Sequence, residues 1–169
     1  MKLIETPIAG AFVIEIEPAY DDRGFFARTY CHDELRQLLP HIAQSGISYN
    51  PQQGTLRGMH YQRAPHGEAK LTRCTRGAIY DVVIDLETAQ WFGVELTPDN
   101  HRMLYAPAGV AHGFETLQDD TEVSYDISAR YDPQSVAGVR WNDPAFAIRW
   151  PLEPALMSAR DRSWPDFSR

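Results

Sequence analysis

The chain has 169 residues, 43% of them hydrophobic and 23% charged, a composition typical of one globular domain over residues 1–169. Its formal net charge of -7 argues against nonspecific nucleic-acid binding, although a few arginines can still hold a small phosphate ligand. No apolar run is long enough to span a bilayer and the first residues do not resemble a signal peptide, so we expect neither nucleic acid nor membrane as a partner.

The first predicted elements are a strand and a short helix. Residues 12–17 alternate in hydrophobicity, with three apolar side chains on one face of the predicted strand. Asp33 is suited to cap the helix, the leucines between positions 35 and 39 share one face, and Pro40 ends the run.

The clearest predicted strand covers residues 78–86, where every second residue is apolar or aromatic. Asp81 and Asp85 fall on the opposite face, so we predict a half-buried strand. Turn signals rich in Gly, Pro and Asp recur at short intervals, which predicts an all-β jelly-roll sandwich or barrel with a few short helices. The Pro-rich stretch after Trp150 is predicted to be irregular and to lie over the surface or the mouth of the domain.

The two cysteines, Cys31 and Cys74, lie far apart in the chain without a C-x-x-C spacing. They form neither a zinc-binding pattern nor a disulfide framework. A reducing cytoplasm is the location that this usage predicts.

Polar and basic side chains that could take part in chemistry are concentrated in the segment Gly54–Gln62, which is followed by Lys70. A barrel strand that carries Arg57 and His60 where leucine would pack indicates an open pocket. Three basic groups close to one strand suit an anionic ligand. Taken alone, His60 fits a structural role equally well.

In a second segment, Pro107 and Gly109 make a sharp turn that delivers His112 onto the next predicted strand. Together the two segments resemble the two conserved blocks of the cupin superfamily. In metal-binding cupins the first block carries H-x-H, whereas Gln62 replaces the second histidine here. An alternative two-histidine, one-carboxylate site for iron or manganese is left, which the missing imidazole and the nearby Lys70 disfavour. Its members would be His60, Glu68 and His112.

A third segment contributes two tyrosines, Tyr125 and Tyr131, which share a face if the strand between them is unbroken. Tyr125 lies between Val123 and Ile127 on that face and is predicted to reach the pocket with its hydroxyl group. Tyr131 precedes an Asp-Pro pair and fits a structural role at least equally well.

Nine short motifs follow one another along nearly the whole chain. They are D-x-R-G-x-F, GTLRGMHYQ, KL-x-x-C-x-x-G, I-x-D-V-V-x-D, P-x-G-x-A-H-G-F, Y-x-x-x-x-x-Y-x-P, W-x-D-P, W-P and S-x-R-D. In this order they resemble the RmlC-type nucleotide-sugar epimerases of the cupin superfamily. The resemblance implies an all-β cupin barrel without metal or other cofactor. It also implies a cytoplasmic homodimer, with strand exchange near the N terminus, that acts on a nucleoside-diphosphate 4-keto-6-deoxyhexose.

The resemblance further implies four catalytic roles. His60 would remove a proton beside the C4 carbonyl, and Asp161 would orient the imidazole and stabilise its charged form. Lys70 would stabilise the enolate. Tyr125 would return a proton to the opposite face of the sugar, because inversion requires removal and return on opposite sides.

Substrate binding is implied at seven positions. The guanidinium groups of Arg23 and Arg57 match diphosphate contacts. The chain departs from the family pattern at Arg28, Gly46 and Val136 and in a shortened stretch between residues 85 and 94. The chemistry is therefore better supported than the identity of the base or sugar. The remaining implied contacts are Arg28, Gln44, His112, Tyr131 and Arg160.

Several alternatives stay open at this point. An enzyme that inverts only carbon 3 or only carbon 5, on thymidine or another nucleotide, would use the same residues. A ketoisomerase of the same fold would instead move the carbonyl to carbon 3. A cupin metalloenzyme and a noncatalytic sugar-binding module are the two alternatives from other classes.

Overall fold

The computed structural model describes residues 1–168, so Arg169, the last residue of the predicted domain, lies outside the described residues. Short strands dominate the described part, and its two helices have four residues each, too few to cross a membrane. The elements in chain order are β1 Lys2–Glu5, β2 Phe12–Glu15, β3 Ala19–Asp21, β4 Gly24–Phe26, α1 His32–Leu35, β5 Gln44–Asn50, β6 Thr55–Gln62, β7 Lys70–Arg76, β8 Ile79–Asp85, β9 Trp91–Leu96, β10 Arg102–Ala106, β11 Val110–Thr116, β12 Thr121–Ile127, β13 Val136–Gly138, β14 Leu156–Met157 and α2 Ala159–Arg162.

Two antiparallel sheets form the body of the domain. The first has the strand order β1-β2-β10-β7-β12-β5, and the second has the order β13-β6-β11-β8-β9. The short strand β14 adds to β6 in parallel, and β3 and β4 form a separate hairpin. This arrangement confirms the predicted all-β jelly-roll sandwich of the cupin type with a few short peripheral helices.

Apolar side chains pack in three layers. The central cluster lies between the sheets and includes Val13 and Leu104 from the first sheet and Val83 and Phe114 from the second. A second cluster joins the outer face of the first sheet to α1. The third covers the outer face of the second sheet with the segment that contains Phe146. Strands of both sheets are therefore covered on both faces.

This layering corrects the prediction of a half-buried strand at residues 78–86. β8 is buried on both faces, because Val82 and Ile84 pack outward beneath the third cluster. Asp81 lies on the other face and is fully buried between the sheets. The predicted polar face therefore points into the domain, where His112 provides a partner for the carboxylate.

The predicted helix is shorter than expected and is not capped by Asp33. Helix α1 covers only His32–Leu35, and Cys31 occupies the N-cap position without a side-chain hydrogen bond. The chain then continues as a turn, in which the Leu39 N–H donates to the Leu35 carbonyl at 2.7 Å. The leucine face is nevertheless used, since Leu35 and Leu39 are buried beneath the first sheet.

The C-terminal stretch predicted to be irregular contains β14 and α2. Ser158 caps α2, and its hydroxyl oxygen accepts the backbone N–H of Asp161 at 3.0 Å. The segment lies at the mouth of the domain as predicted, since Ser158 and Arg160 line the cavity there. It thereby brings α2 next to β6, the strand that carries His60.

Candidate active site

A cavity of about 420 Å³ opens between the two sheets and is closed on one side by α2. It adjoins a second hollow of about 330 Å³, with which it shares His60, Lys70, Ile127 and Arg160. The first cavity is lined by Ser48, Arg57, His60, Lys70, His112, Phe114, Tyr125, Ile127, Ser158, Arg160 and Asp161.

The shortest contact at this cavity joins His60 on β6 to Asp161 on α2. His60 Nε2 donates to the Asp161 carboxylate at Oδ1 over 2.6 Å, so Nδ1 is the acceptor nitrogen whenever the imidazole is neutral. The Asp161 side chain is 5% exposed, whereas that of His60 is 34% exposed. Although burial acts to raise the pKa of Asp161, the hydrogen bond and charge of His60 bring that pKa below its usual value. The pair is thus an ionised carboxylate behind an accessible imidazole.

A bulge in β6 places Arg57 and His60 on the same side of the strand. The partners of His112 and Phe114 on β6 are His60 and Arg57, which are three positions apart, whereas His112 and Phe114 are only two apart on β11. The extra residue interrupts the alternation of side chains between the two faces of β6, so Arg57 and His60 can point to the same face although they are three positions apart. A Cβ atom at Gly113 would lie 2.7 Å from the Arg57 carbonyl oxygen, so the two backbones approach closely only with glycine there.

Tyr125 faces the same cavity from β12 in the opposite sheet. Its hydroxyl group shares a hydrogen bond of 2.9 Å with that of Ser48 on β5. Burial raises the pKa of the Tyr125 phenol, and the Ser48 hydrogen bond and the charge of Arg57 offset this only in part. A protonated phenol therefore lies across the cavity from the imidazole.

Lys70 and His112 each lie beside a buried carboxylate. Lys70 Nζ is 2.8 Å from Glu68 Oε1, with both side chains largely buried. His112 Nε2 and Asp81 Oδ1 share a hydrogen bond of 2.7 Å, and the His112 side chain is almost fully buried. Burial raises the pKa of Asp81, and the charge of His112 opposes that rise. Both basic side chains line the cavity between the sheets.

The structure brings further sequence-predicted binding residues to the two hollows. Arg57 lines the first cavity, and its Nε donates to Asn50 Oδ1 at 2.7 Å. Gln44 and Tyr131 line the second, where the Gln44 amide donates to the Ala129 carbonyl at 3.0 Å. Tyr131 does not share an unbroken strand with Tyr125, because β12 ends at Ile127.

Arg23 and Arg28 do not reach either hollow within this chain. Arg23 lies in the β3–β4 hairpin, where its side chain is 89% exposed and contacts Asp21 at 2.5 Å. Arg28 lies beside Met1, Glu17 and Glu34 on another part of the surface. The two predicted contacts are therefore separated from the other binding residues.

The alternative metal set is not assembled as a common site. Glu68 is paired with Lys70, while His60 and His112 each direct Nε2 toward a different aspartate. Among residues 1–168, no three His, Cys, Asp or Glu side chains are grouped so that they could hold a metal ion.

Sequence reasoning missed two residues that complete the site. Ser48 is the hydrogen-bonding partner of Tyr125, and its spacing from Gln44 by four residues along β5 is the available signal for a shared face. Asp81 was assigned to an outer face, although an aspartate within a run of valine and isoleucine also fits a buried partner for a basic group.

Comparison with known proteins gives one family. The family profile for dTDP-4-dehydrorhamnose 3,5-epimerase matches residues 5–169. A dTDP-4-dehydrorhamnose 3,5-epimerase from Sinorhizobium fredii is 38% identical over 87% of this chain and 80% of its own length. A dTDP-4-dehydrorhamnose 3-epimerase from Streptomyces niveus is 35% identical over 96% and 82% of the two chains.

Solved structures agree with the sequence comparison. The crystal structure of dTDP-4-dehydrorhamnose 3,5-epimerase from Bacillus anthracis, with TDP and PPi bound, matches with a TM-score of 0.91 and 40% identity. That match covers 98% of this chain and 99% of the other. The facing imidazole and phenol thus lie in a fold shared along the whole chain. This chain therefore belongs to the dTDP-4-dehydrorhamnose 3,5-epimerase family of isomerases.

Proposed function

We propose that the chain inverts carbon 3, carbon 5 or both in a nucleoside-diphosphate 4-keto-6-deoxyhexose, with dTDP-4-dehydro-6-deoxyglucose as the default substrate. One observation carries the proposal: the Asp161-paired imidazole of His60 and the phenol of Tyr125 line one cavity from opposite sheets. Inversion at a carbon beside a carbonyl requires a base on one face and an acid on the other.

The proton transfers follow from these positions. The Nδ1 atom of His60 takes the proton from carbon 3 or 5, and the electron pair of the broken C–H bond forms an enolate with its charge on the C4 oxygen. Tyr125 then gives its hydroxyl proton to the opposite face of that carbon. Proton exchange with solvent returns both side chains to their starting states, so the sugar is isomerised without a change in oxidation state.

The charge distribution in the cavity favours each step. Asp161 is held in its ionised form, so it stabilises the imidazolium that forms on His60. Burial keeps Tyr125 protonated at neutral pH and therefore able to act as an acid. Lys70 and His112 supply positive or hydrogen-bonding groups for the enolate oxygen, an interaction that is strongest where water is excluded.

The diphosphate is assigned to Arg57 and Arg160, because both guanidinium groups line the cavity and suit phosphate oxygens. Gln44, Tyr131 and Val136 surround the adjoining hollow and are assigned to the rest of the nucleotide.

Relatives include both 3,5- and 3-epimerases, so inversion of carbon 3 alone is the second candidate. Product analysis by NMR separates these outcomes and also identifies a ketoisomerase.

We also propose that the working unit is a homodimer in which the β3–β4 hairpin packs on the partner. Phe26 and Tyr20 in this hairpin are 71% and 69% exposed, which is unusual for aromatic side chains so close together. A second copy of the chain would cover them and bring Arg23 to the partner's cavity.

The cytoplasmic location stays a prediction, in keeping with the free thiols of Cys31 and Cys74.

Hydrogen exchange in D2O tests the proposed chemistry. Wild-type protein with dTDP-4-dehydro-6-deoxyglucose should incorporate deuterium at carbon 3 or 5, as followed by NMR. We expect His60→Ala to lower exchange by roughly 10²- to 10⁴-fold, the usual contribution of a general base. Tyr125→Phe should reduce inversion more than exchange, because it removes the acid and leaves the base.

Tyr49→Phe is the matched control, since the Tyr49 hydroxyl is exposed and donates to Asp120 instead of lining the cavity. It should leave both rates unchanged. Absence of exchange by the wild type on any 4-keto nucleotide sugar would refute the proposal. Circular dichroism of His60→Ala checks that the loss does not come from unfolding.

A further inference from the structure

The segment after α2 folds back over β13 and brings Trp164 to the edge of the site. Its indole ring occupies the space where a side chain at position 138 would stand. A Cβ atom at Gly138 would lie 2.4 Å from the Trp164 ring. The groove for the indole thus exists only because β13 carries glycine at this point.

Trp164 contacts one of the cationic residues of the cavity. The guanidinium carbon of Arg160 lies 5.0 Å from the centroid of the indole ring, which is within cation–π range. The Arg160 guanidinium makes no hydrogen bond or ion pair with any residue of the described part of the chain, although Arg160 borders both hollows. The indole is therefore the group that holds an otherwise unpaired guanidinium at the junction of the two hollows.

The same ring reaches the catalytic pair. The His60 and Trp164 rings lie edge to face with their centroids 6.5 Å apart. Trp164 thus borders both His60, the proposed base on β6, and Arg160, the residue of α2 that is proposed to bind phosphate.

Contacts further along the tail keep the indole in place. The Phe167 N–H donates to Asp143 Oδ2 at 2.7 Å, and the Phe167 ring packs against Phe146 with centroids 4.9 Å apart. Trp164 is therefore anchored by α2 on one side and by Phe167 on the other. Because the chain is held on both sides of Trp164, the indole stays in place and restricts the Arg160 side chain to few rotamers.

We propose that Trp164 is a positioning residue that preorganises Arg160 to receive the diphosphate of the substrate. An arginine loses much rotamer freedom when it binds a ligand, and an aromatic partner that restricts it beforehand lowers that cost. The inference rests on the proposed function in that it takes the ligand to be a nucleoside diphosphate. It concerns binding and does not depend on which carbon is inverted.

Calorimetric titration with dTDP, together with steady-state kinetics on the 4-keto sugar nucleotide, tests this role. Trp164→Leu should weaken dTDP binding and raise KM by about 5-fold, with a smaller change in kcat, because the cation–π contact of an exposed arginine and its preorganisation are lost. Trp164→Phe keeps an aromatic face and should give an intermediate effect.

A double-mutant cycle separates positioning from general disturbance of the tail. Arg160→Ala should weaken dTDP binding by itself. Adding Trp164→Leu to it should then cost less than about 2-fold more, because coupled residues are not additive. Trp91→Leu is the matched control: it alters a tryptophan of β9, which lies at the opposite edge of the second sheet from β13 and outside both hollows, and should leave KM unchanged.

Additive losses in the cycle, or wild-type affinity in Trp164→Leu, would overturn the proposal. If Trp164→Leu is poorly folded, the cycle is run with Trp164→Phe, and additivity there is equally decisive against it. Wild-type protein that fails to bind dTDP would contradict the proposed function as well, whereas binding without turnover would contradict only the proposed chemistry.

Discussion

Buried carboxylates in this barrel differ in whether a basic group lies beside them. Asp161 and Asp81 each pair with a histidine, whereas Glu115 on β11 is fully buried without one. Glu115 Oε2 accepts the Leu152 N–H at 3.1 Å, and its Oε1 has no hydrogen-bonding partner among the described residues. Burial raises the pKa of Glu115 to about 7, the Leu152 N–H opposes the rise, and the charge of Glu153 adds to it.

The raised pKa of Glu115 predicts a loss of stability with rising pH. The unfolded chain releases this proton near pH 4.5 and the folded chain only near pH 7, so the stabilisation is complete below pH 4.5 and is lost as the pH rises through 7. Glu115→Gln stays neutral, so it should be more stable than wild type at pH 8 by about 3 kcal/mol and similar at pH 4.5.

Urea unfolding at the two pH values and one protein concentration measures this difference. Glu95→Gln serves as the control, because Glu95 is exposed on the neighbouring part of the second sheet and should not alter the pH dependence. An equal decline for wild type and Glu115→Gln would show that Glu115 does not hold its proton in the folded state.

The bulged strand β6 is the element on which the geometry of the site depends. Its extra residue turns Arg57 and His60 to one side, and its close approach to β11 occurs where Gly58 faces Gly113. The same strand accepts β14 in parallel, which leads directly to Ser158 and α2. Strand β6 thus positions both His60 and, through β14, the helix α2 that carries Asp161.

Gly113→Ala tests the importance of this close approach. The new Cβ would lie 2.7 Å from both the Arg57 carbonyl oxygen and the Met59 sulfur, so β6 must move away from β11. We expect a loss of about 1–3 kcal/mol in stability, typical of overpacking, together with a large fall in kcat. Thermal unfolding and the exchange assay measure the two effects.

Gly46→Ala on β5 is the comparison, because a Cβ there meets no atom within 4 Å. Its stability should stay close to that of wild type. If Gly113→Ala and Gly46→Ala have equal stability, the backbones of β6 and β11 are not in the tight contact described.

At the scale of the whole molecule, one chain leaves part of the predicted substrate contacts away from its cavity. Arg23 lies in an exposed hairpin that is part of neither main sheet, while Arg57 and Arg160 line the cavity. Tyr20, Phe25 and Phe26 in that hairpin are exposed and lie close together, a pattern typical of interaction surfaces. A symmetric dimer would resolve both features, since each hairpin would then cover its partner.

Mixed dimers of two inactive variants provide the test. If Arg23 acts on the partner's cavity, a dimer of one His60→Ala chain and one Arg23→Ala chain contains one intact site and one doubly altered site. Unfolding and refolding an equal mixture should then regain about a quarter of wild-type activity at subsaturating substrate, from random pairing of subunits. Analytical ultracentrifugation of the wild type should show a dimer.

Each variant refolded alone sets the baseline for this comparison. If the mixture is no more active than the average of the two, Arg23 acts within its own chain or outside the site. A monomer in the ultracentrifuge would contradict the dimer directly.

Local patterns in the sequence determined much of the fold and the chemical inventory of the site. Period-two alternation and closely spaced turn residues predicted an all-β sandwich, because strand formation and chain reversal depend mainly on neighbouring residues. The ordered motifs predicted His60, Lys70 and Tyr125 as site residues by resemblance, and the structure brings all three to one cavity. Their catalytic roles stay predictions.

Tertiary packing decided which groups meet and which faces are buried. His60 and Asp161 are 101 residues apart, Tyr125 and Ser48 are 77 apart, and no local period reports such distances. The prediction for Asp81 was wrong because hydrophobic alternation distinguishes the two faces of a strand but does not show whether both faces are covered by other parts of the protein. Long-range contacts arise from the stacking of whole sheets and from one bulge, so they become visible only once the chain has folded.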